Sequence, residues 1–261
     1  MSKGINEIDE NLIKWRNGTG VVILRKLKSI ILWILSIIFI VILTIGIFIL
    51  ISVLQEKLLV PKDYIMWIFR YPVSRLIFIY EFFIILGFLS IFSKNLRETK
   101  EIKDTSKNNS FLKWNKKLVL ITFVTFNIVL LYTIITAVTV ITNNKIINYS
   151  FLYPNGKEYS YNDIAKIQTG VYGKKRNILF RHTKGDFFYI LELKNGTKID
   201  LTDVGGVKND IDERFIIEKI DIKLVHMGIP KESSMQNFKY CTEDLDKIYT
   251  DKIKNIIKNT R

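Results

Sequence analysis

One cysteine, Cys241, stands in 261 residues, so no internal disulfide can form and any folded domain must be held by its core alone. Histidine is nearly as scarce, with only His182 and His226. HExxH, GxSxG, CxxC and a Walker-type glycine run are all missing. Those absences remove the usual signatures of zinc hydrolysis, serine hydrolysis, dithiol chemistry and nucleotide binding. Gly170-Val171-Tyr172-Gly173 is not a dinucleotide fingerprint, because it lacks a third glycine and no helical pattern follows it. Internal repeats and glycine/serine linkers are absent as well. The expectation is a chain without catalysis, metal or cofactor, in which Cys241 serves as a small hydrophobe. His226 is expected to complement the dipole at a helix C-terminus.

Long apolar runs are what the chain does have. Residues 29–54 and 118–142 carry no charged side chain. Each exceeds the roughly 20 residues that span hydrocarbon at 1.5 Å per residue. The first run is twice the usual length of a signal-peptide core, mostly polar residues precede it, and no small-residue cleavage site follows. A retained anchor is expected. A third block, 72–93, is interrupted by Glu81, and its charge-free part, 82–93, is short enough for a re-entrant segment.

Flanking charge decides between crossing and re-entry. The tail 1–28 holds Lys14, Arg16, Arg25, Lys26 and Lys28, and the loop 94–117 holds eight basic residues against three acidic. The connection 55–75 has four basic residues and two acidic. The positive-inside bias puts tail and loop in the cytoplasm, so the middle block crosses. Three transmembrane helices, about 29–54, 72–93 and 118–142, then deliver residues 143–261 to the extracytoplasmic face. The expected location is a cell membrane, multi-pass, with the N-terminus inside. The formal net charge of +14 is explained by juxtamembrane residues attracted to anionic lipid. No nucleic-acid partner is expected.

After Thr142 the pattern changes from apolar blocks to alternation. Runs 147–153, 157–161, 164–172, 177–183, 186–194 and 197–204 read as about six strands. Pro154-Asn155-Gly156, Lys184-Gly185 and Asn195-Gly196 read as their turns, the last as type I′. A helix follows, with Ile217, Ile220, Leu224 and Met227 on one stripe. A second is expected from an N-cap at Thr242, with Leu245, Tyr249, Ile253 and Ile256 on one face. The fold class is therefore membrane α-helical plus a C-terminal α+β domain.

Tyr159, Tyr161, Asp163, Ile164 and Ile167, then Asn195 to Leu201 and an amphipathic helix, resemble the bacterial pleckstrin-homology-like (PH-like) domain. Similar segments end many small bacterial membrane proteins. The resemblance covers roughly Lys145 to Met227. It implies a strongly bent sheet closed by a helix, no enzymatic activity, and binding of lipid head groups or proteins.

Two groups are candidates for function. Lys174, Lys175, Arg176, Arg181 and Lys184, with His182 and interleaved aromatics, surround one expected hairpin. They could grip an anionic head group, or they could be a solvated tip. Glu81 is an intramembrane acid, costly by about 2.5–3.5 kcal/mol on insertion scales. It is either packing glue, bonded by hydroxyls of Thr133, Thr136 or Tyr132, or a functional acid. Threonines 122, 125, 133 and 136 include i, i+3 pairs that could line a packing face. The expected function is a binding or accessory module whose partners are the bilayer and anionic head groups or a membrane protein. The alternatives are a transporter or export subunit built around Glu81, and a cryptic hydrolase.

Overall fold

The computed structural model describes residues 3–83, 85–86, 116–173, 183–243 and 245–260. The chain divides into two units, Met1–Ile49 with Phe78–Asn109, and Leu50–Ile77 with Ser110–Arg261. Helix α1 runs Lys3–Leu59 and extends beyond the expected 29–54 at both ends. Its stretch Ile34–Leu59 is the one helix among the described residues long and apolar enough to cross a membrane. Ile34, Leu35, Ile37, Ile38, Phe39 and Ile42 are exposed on more than one face of it, a distribution that suits lipid rather than water. Pro61 stands two residues beyond its end and cannot continue a helix. Of the middle block, residues 73–77 form a 3-10 turn and 78–83 and 85–86 are helical. The rest of that block and most of the basic loop lie outside the described residues.

The third apolar block does not stay helical to Thr142. Helix α2 covers Lys116–Ile135, with a shorter apolar stretch at Leu120–Ile135. Strand β2 then occupies Val138–Thr142. All five β2 residues are β-branched, which favours a pleated strand over a helix. A second departure is larger. The connection 55–75, in which no strand was expected, contains β1, Tyr64–Phe69. The folded region therefore begins well before residue 143.

Nine strands are seen among the described residues, where about six were expected. The others are β3 (Lys145–Ser150), β4 (Tyr153–Ser160), β5 (Ile164–Val171), β6 (Phe187–Leu193), β7 (Lys198–Asp200), β8 (Val204–Val207) and β9 (Lys231–Ser234). One sheet has the order β4-β3-β2-β1-β8 and is antiparallel throughout; the other is β7-β6-β5-β9, with β9 parallel to β5. Helices α3 (Glu213–His226), α4 (Phe238–Cys241) and α5 (Lys247–Lys258) complete the region. Met66 and Ile141 from the first sheet meet Ile167 and Leu191 from the second, with Ile217 and Leu224 of α3 and Ile256 of α5, in one core. The other face of the first sheet is also covered: Trp67, Val138, Val140 and Ile147 pack with Leu59 and Val60 at the end of α1. Burial on both faces gives β2 an uncharged run of Val, Ile and Thr, which reads like a membrane segment.

Local punctuation also differs. The β3–β4 chain reverses at Phe151-Leu152, not at Pro154-Asn155-Gly156, which lies within β4. At Asn195-Gly196 positive φ occurs at Gly196 only, so the turn is not type I′. Asn195 Oδ1 instead accepts from Thr197 N, and Gly196 N donates to Leu193 O. Asp212, accepting from Arg214 N, caps α3, whose buried stripe includes Ile217, Ile220 and Leu224; Met227 is exposed. Thr242 ends α4 and does not start a helix; its hydroxyl donates back to Lys239 O, and α5 begins after Asp246.

Candidate functional site

Four of the five basic residues expected to grip an anion, Lys174, Lys175, Arg176 and Arg181, lie outside the described residues, as does His182. Lys184 is described. Its ammonium sits 3.7 Å from the centroid of the Tyr240 ring, a cation–π contact at the rim of a cleft of about 320 Å³. The described lining of that cleft includes Asp186, Asp200, Asp203 and Glu213 against Lys184 and Arg214. Two of the acids hold turns in place. Asp186 accepts from the Thr183 amide and hydroxyl, and Asp200 accepts from those of Thr202. An acid-rich lining is a poor seat for an anion.

Glu81 lies within the helical residues 78–83 and is half-buried. The hydroxyls expected to serve it are committed to their own helix. Thr133 donates to Val129 O at 2.7 Å, and Thr136 donates to Tyr132 O at 2.9 Å. Tyr132 packs its ring edge-on against Phe151, with centroids 5.4 Å apart. Thr122 and Thr125 are exposed; the buried positions of α2 are Leu130 and Ile134, one turn apart.

A second cleft, of about 340 Å³, opens where the sheet meets the end of α2. Arg70, at the end of β1, and Lys157, on β4, bring two cations to its lining. Phe151, Leu152, Tyr153 and Tyr159 give it an aromatic and apolar wall, and Asn148, Asn195 and Thr197 add neutral polar groups. The Arg70 guanidinium donates to Tyr149 O at 3.3 Å. The Lys157 ammonium lies 5.8 Å and 5.4 Å from the ring centroids of Tyr153 and Tyr159. Among the described residues no carboxylate forms an ion pair with either cation. Two unneutralised cations beside aromatic faces can hold a phosphate or carboxylate by charge-assisted hydrogen bonds. The sequence hid this cleft, because Arg70 belongs to a segment that looked like a loop and Lys157 stood alone.

A buried polar cluster was also missed. Asp221 of α3 accepts from the Tyr189 hydroxyl, the Lys231 ammonium and Asn259 Nδ2. Lys231 also donates to Ile256 O and Asn259 O, completing the C-terminal end of α5. Burial, reinforced by the Asp221 carboxylate, pushes the Tyr189 phenol well above its ordinary value. Burial lowers the Lys231 ammonium despite its contact with Asp221. The Lys231 and Asp221 side chains are 3% and 1% exposed, so the pair fastens α3, α5, β6 and β9 without access for a substrate. Cys241 is likewise packed, with Val171, Ile253 and Ile257. His226 is exposed at the end of α3. Among the described residues no group of His, Cys, Asp or Glu is arranged to hold a metal ion. No protein-family model, characterised protein or solved structure matches the chain.

Proposed function

We propose that the chain is a multi-pass membrane protein that displays a PH-like, non-enzymatic binding or accessory domain at the extracytoplasmic bilayer surface. The observation that carries this reading is the position of β1 between β2 and β8. Because the connection after α1 and the chain after α2 share one sheet, both lie on the same side of the membrane. Either none or two crossings then separate them, so that if α2 passes through the bilayer the middle block passes as well. The 20 residues of α2 span about 30 Å at 1.5 Å per residue, the thickness of the hydrocarbon core. Leu118, Leu120, Ile121, Phe123, Val124 and Ile128 are exposed along it, a pattern that supports lipid contact.

Only Thr136 and Ala137 separate α2 from β2, and only residues 60–63 separate α1 from β1. Such short links hold the domain against the bilayer, where an anionic ligand can reach Arg70 and Lys157.

Single cysteines test the topology, in a Cys241→Ala background on intact cells. Asp63→Cys and Asn144→Cys, both exposed sites, should react with an impermeant maleimide, and Ser110→Cys should not. Labelling at 110 without labelling at 63 and 144 would overturn the arrangement. The transporter alternative depends on Glu81: loss of a cellular phenotype in Glu81→Gln at normal abundance would favour it.

A further inference from the structure

The β3–β4 turn carries side chains unsuited to water. Leu152 is 76% exposed, and Phe151 and Tyr153 beside it are about half exposed. Turns in contact with solvent are normally built from Gly, Pro, Asn, Asp and Ser. Here Pro154, Asn155 and Gly156 are nearby in sequence but lie within β4, and the apolar pair occupies the tip. The tip also has a definite neighbour. Phe151 meets Tyr132, which lies in the last turn of α2, edge-on at 82°. Ile128, Val129 and Leu131 are exposed in the same part of that helix. The apolar surface of α2 is therefore continuous with the hairpin tip. Behind the tip, the cleft that Phe151 and Leu152 line is also lined by Arg70 and Lys157. Apolar groups at the front, tyrosines at the boundary and cations behind reproduce the polarity gradient of a leaflet from acyl chains to phosphates.

We propose that the β3–β4 hairpin is a membrane wedge. Phe151 and Leu152 enter the acyl region of the outer leaflet, Tyr132 and Tyr153 sit at its interface, and Arg70 and Lys157 take anionic lipid head groups. This rests on the reading that α2 crosses the bilayer. The occupant of the surface is the leaflet itself. A protein partner would have to displace lipid from beside α2 to reach the tip.

The test uses the full chain with Cys241→Ala, reconstituted into vesicles containing anionic and zwitterionic phospholipid. Nitroxide labels are placed at Leu152→Cys, at Asn144→Cys on the β2–β3 turn, and at Ile128→Cys on α2. Collisional accessibility to oxygen and to a water-soluble nickel chelate gives the depth of each. Labels at 152 and 128 should favour oxygen, and the label at 144 should favour the chelate. A label at 152 that behaves like 144, while 128 lies in hydrocarbon, would overturn the wedge and leave the crossing of α2 intact. A chelate-accessible label at 128 would overturn the crossing of α2 and the wedge with it. Replacing the anionic lipid with phosphatidylcholine, or introducing Lys157→Glu, should shift the 152 label outward. An unchanged depth in both would remove the two cations from the contact.

Discussion

Gly205 and Gly206 have no side chains where Trp67 lies, and a Cβ on Gly205 would come within 2.0 Å of Trp67 Cζ3. Trp67 is 1% exposed and is a carbon-rich anchor between the first sheet and the end of α1. Gly205→Ala must displace the ring or break the β1–β8 pairing. A loss of about 1–3 kcal/mol is expected from overpacking, read as a lower midpoint in thermal unfolding. Tyr161 gives a prediction in pH. Its hydroxyl donates to Thr142 O, and burial pushes its phenol up from 10.0 to about 12. The folded state keeps the proton longer than the unfolded state does. The stabilising contribution is complete below pH 10.0 and is lost as pH rises through about 12. At 1.36 kcal/mol per pKa unit that loss is about 2–3 kcal/mol. Tyr161→Phe should flatten this part of the stability profile, measured by denaturant unfolding at stepped alkaline pH.

Among the elements, the junction of α3, α5 and β9 depends on one ion pair. Lys231→Met leaves the Asp221 carboxylate buried with only Tyr189 and Asn259 as donors. Breaking a buried pair in this way costs about 3–5 kcal/mol. The double variant Lys231→Met with Asp221→Leu should be less destabilised than Lys231→Met alone, and urea midpoints of both would show it. The sequence announced some of these elements and concealed others for physical reasons. Strand β6 alternates between buried and half-buried positions, and β5 carries the polar Lys166 and Gln168 at half-buried positions, so both were legible. Helix α3 was legible from its apolar stripe. Strand β2 was merged into a membrane block because both faces of its sheet are covered and its residues are uniformly apolar or Thr. Strand β1 has no alternation either, because Met66 and Ile68 are buried on one face and Trp67 on the other. Of the candidate site, Lys184 was legible as a local charge. The cleft at Arg70 and Lys157 was not, since strand pairing across β1, β2, β3 and β4 assembles it.

Over the whole molecule, the sheet order β4-β3-β2-β1-β8 joins segments from before and after two apolar blocks. A fragment that starts at residue 143, the boundary suggested by sequence, lacks both β1 and β2. It would expose the core faces of Ile146 and Leu191 and leave β8 without a neighbour. Such a fragment should be soluble only as an aggregate or an expanded chain, with weak protection in amide hydrogen exchange. A compact, cooperatively unfolding fragment would contradict the structural role given to β1.

Placing β1 between β2 and β8 also has a consequence for synthesis. The ribosome finishes Tyr64–Phe69 before it has made either neighbour, and β8 comes only after α2 has been delivered. During that interval an apolar strand waits unpaired outside the first helix, as a template for wrong pairing. In the proposed topology, folding cannot close the sheet until the last apolar block is inserted. The finished sheet would then be a record of correct insertion: a chain threaded with the wrong parity would have β1 on one side and its partners on the other.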